Sequence, residues 1–234
     1  MATYDLEQQE QLDQAKHFWK TYGNLITWTL ILILGAYAAW TGYLYWQNDQ
    51  AGKASVLFEE IDRAALQGDT SKVALVFKDI REKHPGTTYT AQAALLAAKV
   101  QATAGKDEDA RASLQWLIDN GKNPDLVAVA RLRLAGLQLD AKQHDAALKL
   151  LDADLPEEFK PLVQDRRGDI LAAQGKKAEA LQAYKEAWKT MDPAIEYRRF
   201  IEGKLTALGE PPAASSLAQP AAVSAMPPGL APTN

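Results

Sequence analysis

The sequence predicts an all-α protein: a single N-terminal transmembrane helix, then a helical-repeat solenoid of about four helix pairs closed by a capping helix. Three observations carry this prediction. No Asp, Glu, Lys or Arg occurs from Thr21 through Asn48. Beyond that window the chain is rich in Ala, Leu, Gln, Lys and Glu, which favour helix, with almost no β-branched runs. Glycine and proline interrupt it at intervals of helix length.

The uncharged window comes first. Residues 25–46 read LITWTLILILGAYAAWTGYLYW, 22 residues that as a helix span roughly 33 Å, enough to cross a hydrocarbon core of ~30 Å. Trp19, Tyr22 and Trp28 gather at one end and Trp40, Tyr43, Tyr45 and Trp46 at the other. Amphipathic rings favour the headgroup level, so the two clusters read as interfacial belts. The rival is a leader cleaved after Ala36-Tyr37-Ala38. Its n-region would carry Asp5, Glu7, Glu10 and Asp13, and the apolar run continues past the cut, so an uncleaved anchor is expected. Lys16 and Lys20 before the span, against Lys53 after it, favour the N-terminus inside. In a bacterium this gives a single-pass inner-membrane protein with a cytoplasmic tail (1–24), a span (25–46), a periplasmic repeat domain (47–208) and a C-terminal tail (209–234). Gly35, Ala39 and Gly42 recur at helical spacing and form a possible contact stripe for another membrane helix.

After the span, the breakers Gly68-Asp69, Pro85-Gly86, Gly105-Lys106, Gly121 with Pro124, Pro156, Pro161, Gly175 and Pro193 delimit paired helices. Aligning the second helices, DTSKVALVFKDI, DEDARASLQWLI, QHDAALKLLDAD and KAEALQAYKEAW, puts Val73, Ala110, Ala146 and Ala180 at one position, 37, 36 and 34 residues apart. One turn later come Phe77, Leu114, Leu150 and Tyr184; twelve residues earlier, in the partner helices, sit Ile61, Ala98, Leu134 and Gly168. Facing small residues let antiparallel helices approach, and the bulky residue fills the space beside them. The pattern resembles the tetratricopeptide repeat, with Gly168, Ala180, Tyr184 and Ala187 making the closest copy and Leu134 the largest departure. Pro193 is expected to open one more helix, with Tyr197, Ile201, Leu205 and Leu208 on its apolar side, to cap the array. The tail from Glu210 holds six of the 11 prolines and no periodicity, which predicts disorder.

Chemistry is hard to place on this chain. There are no cysteines, so thiolate and disulfide chemistry is excluded. His17, His84 and His144 are far apart, without metal-ligand spacing, and neither G-x-S-x-G nor a P-loop occurs. No catalytic, cofactor or metal site is expected. A net charge of −4 from 26 interspersed bases and 30 acids argues against nucleic acid as a partner. What remains is binding surface. The first helices of tandem pairs line a concave groove, toward which the repeat frame points Asp62, Lys99, Arg131, Gln138, Asp165 and Asp169. These residues suit an extended peptide held by hydrogen bonds and local charge matching, and their mixed signs argue against a dedicated carboxylate clamp.

An acidic-Gln tail, a Trp-bearing juxtamembrane stretch, one span, and repeats containing RGDILAAQGKKAEALQAYKEAW together resemble the YfgM family of ancillary SecYEG translocon subunits. The resemblance covers residues 1–208. It implies a helical-repeat domain facing the periplasm, association with the SecYEG translocon, partnership with the PpiD-type periplasmic chaperone, and chaperone-like handling of unfolded envelope protein clients. The other expectations are a scaffold for a different envelope assembly, and a regulator acting through its cytoplasmic tail.

Overall fold

A computed structural model of the chain describes the backbone of residues 3–212 and the side chains from residue 10 onward. Most of the tail expected to be disordered, 213–234, lies outside the described residues. The chain divides into two compact units, Met1–Ser55 and Val56–Asn234. The described residues form nine α-helices and one 3-10 turn.

The first unit consists of the greater part of helix α1 (Thr3–Leu66). From residue 10 to residue 49 every side chain is exposed except at Gly23, which Trp19 covers, and Ile26. Leu32 and Tyr37 are 71% and 67% exposed, a level at which water would be a costly neighbour and lipid a good one. The three threonines of residues 25–46 hide their hydroxyls in the helix itself. Thr27 Oγ1 donates to the Gly23 carbonyl at 2.8 Å, Thr29 to Leu25 at 2.8 Å and Thr41 to Tyr37 at 3.0 Å. Such back-bonding satisfies these three hydroxyls within the helix, as a hydrocarbon environment favours. Among the described residues this is the one helix long and apolar enough to cross a membrane.

The second unit is the repeat array. The last turns of α1 meet α2 (Thr70–Lys83), where Glu60 lies 3.2 Å from Lys72; α3 (Thr88–Thr103) pairs with α4 (Asp107–Asn120), α5 (Pro124–Asp140) with α6 (His144–Leu151), and α7 (Lys160–Ala173) with α8 (Lys177–Thr190). A 3-10 turn, Glu157–Phe159, precedes α7, and α9 (Arg198–Ala207) ends the array. Several starts follow from capping. Asp69 accepts the Lys72 amide at 2.9 Å, Thr87 accepts the Thr90 amide at 3.2 Å, and Asn123 stands before Pro124 at the first position of α5.

The turn inside each pair is the same device. A residue with positive φ lets the next amide reach back five residues: Asp69 to Ala64, Lys106 to Gln101, Gln143 to Gln138 and Lys176 to Leu171, at 2.8–3.0 Å. The left-handed residues are Gly68, Gly105, Lys142 and Gly175, spaced 37, 37 and 33 apart. That spacing corrects the third repeat. Ala147, not Ala146, is fully buried, and Leu151, not Leu150, is the enclosed bulky residue. The small series is therefore Val73, Ala110, Ala147 and Ala180, at the same 37, 37 and 33. Twelve residues earlier stands the buried Ala135 rather than Leu134, so the apparent departure of this repeat from the small-residue rule disappears.

The capping helix begins later than expected. After Pro193 the Asp192 carboxylate accepts the Ala194 amide at 2.8 Å and its carbonyl accepts that of Ile195 at 3.0 Å, turning the chain before α9 starts. Ile201 and Leu205 then complete the terminal core with Tyr184, Ala187 and Met191, flanked by Tyr197 and Leu208.

Candidate functional site

Two hollows run along the first helices of the pairs. One, of about 410 Å³, lies between the end of α1 and α3 and is lined by Asp62 and Lys99 beside the apolar Leu66, Leu96 and Val100. The other, of about 430 Å³, crosses α3, α5 and α7. Lys99, Arg133 and Arg166 rim it with Asp140, and Ala102 and Leu137 supply apolar floor. Gly136 opens its middle: the Arg166 guanidinium lies 3.6 Å from where a β-carbon would stand.

The six groove residues of the sequence reading separate in space. Asp62 and Lys99 share the first hollow. Arg131 is half-buried on α5 and lines neither hollow, whereas Arg133, two residues on, lines the second. Gln138 stands three residues after Ala135, the position held by Gln101 and Leu171 in their repeats. Both of those are buried, so this position faces the seam of the pair rather than the groove. Gly35, Ala39 and Gly42 are exposed on α1, and a β-carbon at either glycine would meet nothing.

Asp165 and Asp169 are joined in a polar knot on the inner side of the capping helix. Asp165 is 2% exposed; Lys204 of α9 donates to both its oxygens at 2.8 Å and the Tyr197 hydroxyl donates to it at 2.8 Å. The same ammonium lies 2.7 Å from Asp169, which also accepts the Tyr184 hydroxyl at 2.8 Å. Arg166 approaches Asp169 at 3.5 Å. Two carboxylates and two cations thus balance, and the phenols satisfy lone pairs that burial would otherwise strand. Burial, reinforced by Asp169, pushes the Tyr184 phenol well above its ordinary value. Burial and the hydrogen bond to Asp165 do the same to Tyr197. Beside the knot, Arg198 stacks 4.0 Å from the Trp188 ring, whose indole donates to the buried Glu202 at 3.2 Å.

Sequence reasoning missed Arg133, Arg166 and Lys204. The first two stand 33 residues apart, two before Ala135 and Gly168, and the corrected repeat register would have found them. Lys204 carries no local signal. Among the described residues no group of three or more His, Asp or Glu is placed to hold a metal ion. The arrangement is an elongated surface with apolar floor and charged rim, a form suited to adhesion.

Comparison with known proteins gives a consistent result. The family described as Tetratricopeptide repeat-like domain matches residues 16–210. A Neisseria gonorrhoeae protein named Ancillary SecYEG translocon subunit is 33% identical over 207 residues, 87% of this chain and 98% of that one. Proteins of the same name from Escherichia coli (32% identical, covering 83% and 94%) and Haemophilus influenzae (29%, covering 79% and 90%) are also similar.

Proposed function

The chain belongs to the family of ancillary SecYEG translocon subunits with a tetratricopeptide repeat-like domain, and from that membership we propose that it is a membrane-tethered, non-catalytic adaptor at the Sec translocon. The observation that carries this reading is one chain that joins an exposed apolar helix to a peptide-sized groove. Its finer parts are a cytoplasmic N-terminus, repeats in the periplasm, a PpiD-type chaperone as neighbour, and unfolded envelope proteins as clients. These rest on the family resemblance and on the lysine bias around the span.

Tethering makes the mechanism economical. A groove confined beside the channel exit meets an emerging segment at high effective concentration, so each contact can be weak and reversible. The role of the groove is then to delay collapse of the segment while a partner or the membrane receives it. Site-specific photocrosslinking in intact cells tests this, with probes placed along residues 25–46 and at Lys99 and Asp62. Capture of channel subunits from the span, and of nascent envelope proteins or a PpiD-type chaperone from the groove, is expected. A span that captures no translocon component would overturn the reading. Reporters fused after Gln50 and at the C-terminus should both register the periplasm.

A further inference from the structure

By sequence the concave face carries mixed charge, but the structure partitions it. Its two acids on α7, Asp165 and Asp169, are held by Lys204 at 2.7–2.8 Å and by the two tyrosine hydroxyls at 2.8 Å. Their charge is directed into the capping helix. The hollow across α3, α5 and α7 is left with Lys99 and Arg133 against the single acid Asp140, and with Arg166, whose charge Asp169 shares. Arg133 uses one nitrogen on the Leu95 carbonyl at 3.2 Å. Arg166 reaches Asp169 only at 3.5 Å, the longest of the contacts which that carboxylate makes. Both guanidiniums therefore retain donors. Two planar forks on neighbouring helices over the bare backbone of Gly136 match carboxylates, and the partly exposed Ala102 and Leu137 match an apolar side chain.

We infer that this hollow selects polypeptide segments that interleave acidic with apolar residues, the carboxylates seating on Arg133, Lys99 and the outer edge of Arg166 and the apolar side chains on Ala102 and Leu137. The inference rests on the groove being a peptide site, as proposed above, and adds which peptides it takes. Neutral segments of the same shape lose the charge-assisted bonds, and lysine-bearing ones meet like charge. The preference should weaken with salt, because the rim is open to solvent.

The test uses the full chain in detergent micelles and three fluorescein-labelled peptides, repeats of Glu-Ser-Leu, Gln-Ser-Leu and Lys-Ser-Leu, with binding read by anisotropy. The acidic peptide should bind about tenfold more tightly than its Gln counterpart, and the Lys peptide more weakly than either. Arg133→Glu should abolish the acidic preference, and a far-ultraviolet circular dichroism spectrum and Tm matching the parent show that the array is intact. Lys99→Glu repeats the test on an exposed side chain should Arg133→Glu disturb folding, and Asp140→Asn should tighten the acidic peptide. If the acidic and Gln peptides bind equally, or if charge reversal leaves the preference in place, the selectivity is refuted and the groove reading survives. If no peptide binds, the groove reading fails and this inference falls with it.

Discussion

Adding a methyl group at Gly168 tests the close approach on which the fourth repeat depends. Gly168 lies inside α7, where alanine is the better helix former by about 1 kcal/mol, so propensity alone predicts stabilisation. The structure predicts the opposite. A β-carbon there would stand 2.5, 2.6 and 2.9 Å from three atoms of the Tyr184 ring. The ring cannot swing aside freely, since it is 4% exposed and its hydroxyl is bonded to Asp169 at 2.8 Å. Overpacking of this kind costs about 1–3 kcal/mol, and losing a hydrogen bond to a charged group about 1.5–3 kcal/mol. Net of propensity, Gly168→Ala should destabilise the repeat unit by about 1.5–5 kcal/mol, lowering Tm by about 3–20 °C. Gly203 in α9 is the control, because a β-carbon there meets no atom within 4 Å. Gly203→Ala should raise Tm by about 1–4 °C. Thermal unfolding of the detergent-solubilised chains by circular dichroism reads both. A Gly168→Ala protein that melts at or above the parent would refute the steric argument.

The remaining expectations concern the third repeat and the knot. Ala147→Leu should cost about 1–3 kcal/mol by overpacking a fully buried site, whereas Ala146→Leu, on the exposed side, should change stability by less than about 0.5 kcal/mol; equal effects in denaturant titrations would restore the original register. Lys204→Met removes the cation from the enclosed Asp165, and a loss of about 2–4 kcal/mol is expected, much of it recovered in the double variant with Asp165→Asn. Tyr184 and Tyr197 have folded pKa values raised above the ordinary 10.0, so the unfolded chain releases these protons first. Their stabilising contribution is therefore complete below about pH 10 and declines as pH rises beyond it. Phenolate absorbance should show two tyrosines titrating late, and Tyr184→Phe with Tyr197→Phe should flatten the alkaline loss of stability. Lys142 holds a left-handed conformation (φ 60°) that costs a non-glycine residue about 1 kcal/mol, so Lys142→Gly should stabilise the chain by up to that amount.

What was legible in the sequence was local. The span announces itself by an uninterrupted absence of charge, and three of the four repeat turns by a glycine where the backbone must turn left-handed. The third turn uses Lys142, which no breaker rule notices, and the adjacent Ala146-Ala147 and Leu150-Leu151 pairs give a one-residue slip nothing to contradict it. The start of α9 slipped for a related reason: Pro193 permits a helix, but the Asp192 side chain captures the following amide in a turn first. The groove was least legible. Asp165 and Asp169 look like solvated acids on a helix until Lys204, 39 and 35 residues away, is folded onto them. The chemistry of a concave face depends on which of its charges a neighbouring helix has already claimed, and that pairing is non-local.

A stack in which each hairpin leans only on its neighbours parts where its weakest member sits. Here that member is the third: α6 is eight residues long, two turns against the four of its counterparts, and the loop before it carries the left-handed Lys142. Amide exchange should therefore open the array at α6 ahead of the flanking hairpins. Such a breach would bring no new surface to the ends of the solenoid; it would change the curvature between the α3 and α7 walls that hold Arg133 between them, giving the array an elastic waist at the point where it would grip a client.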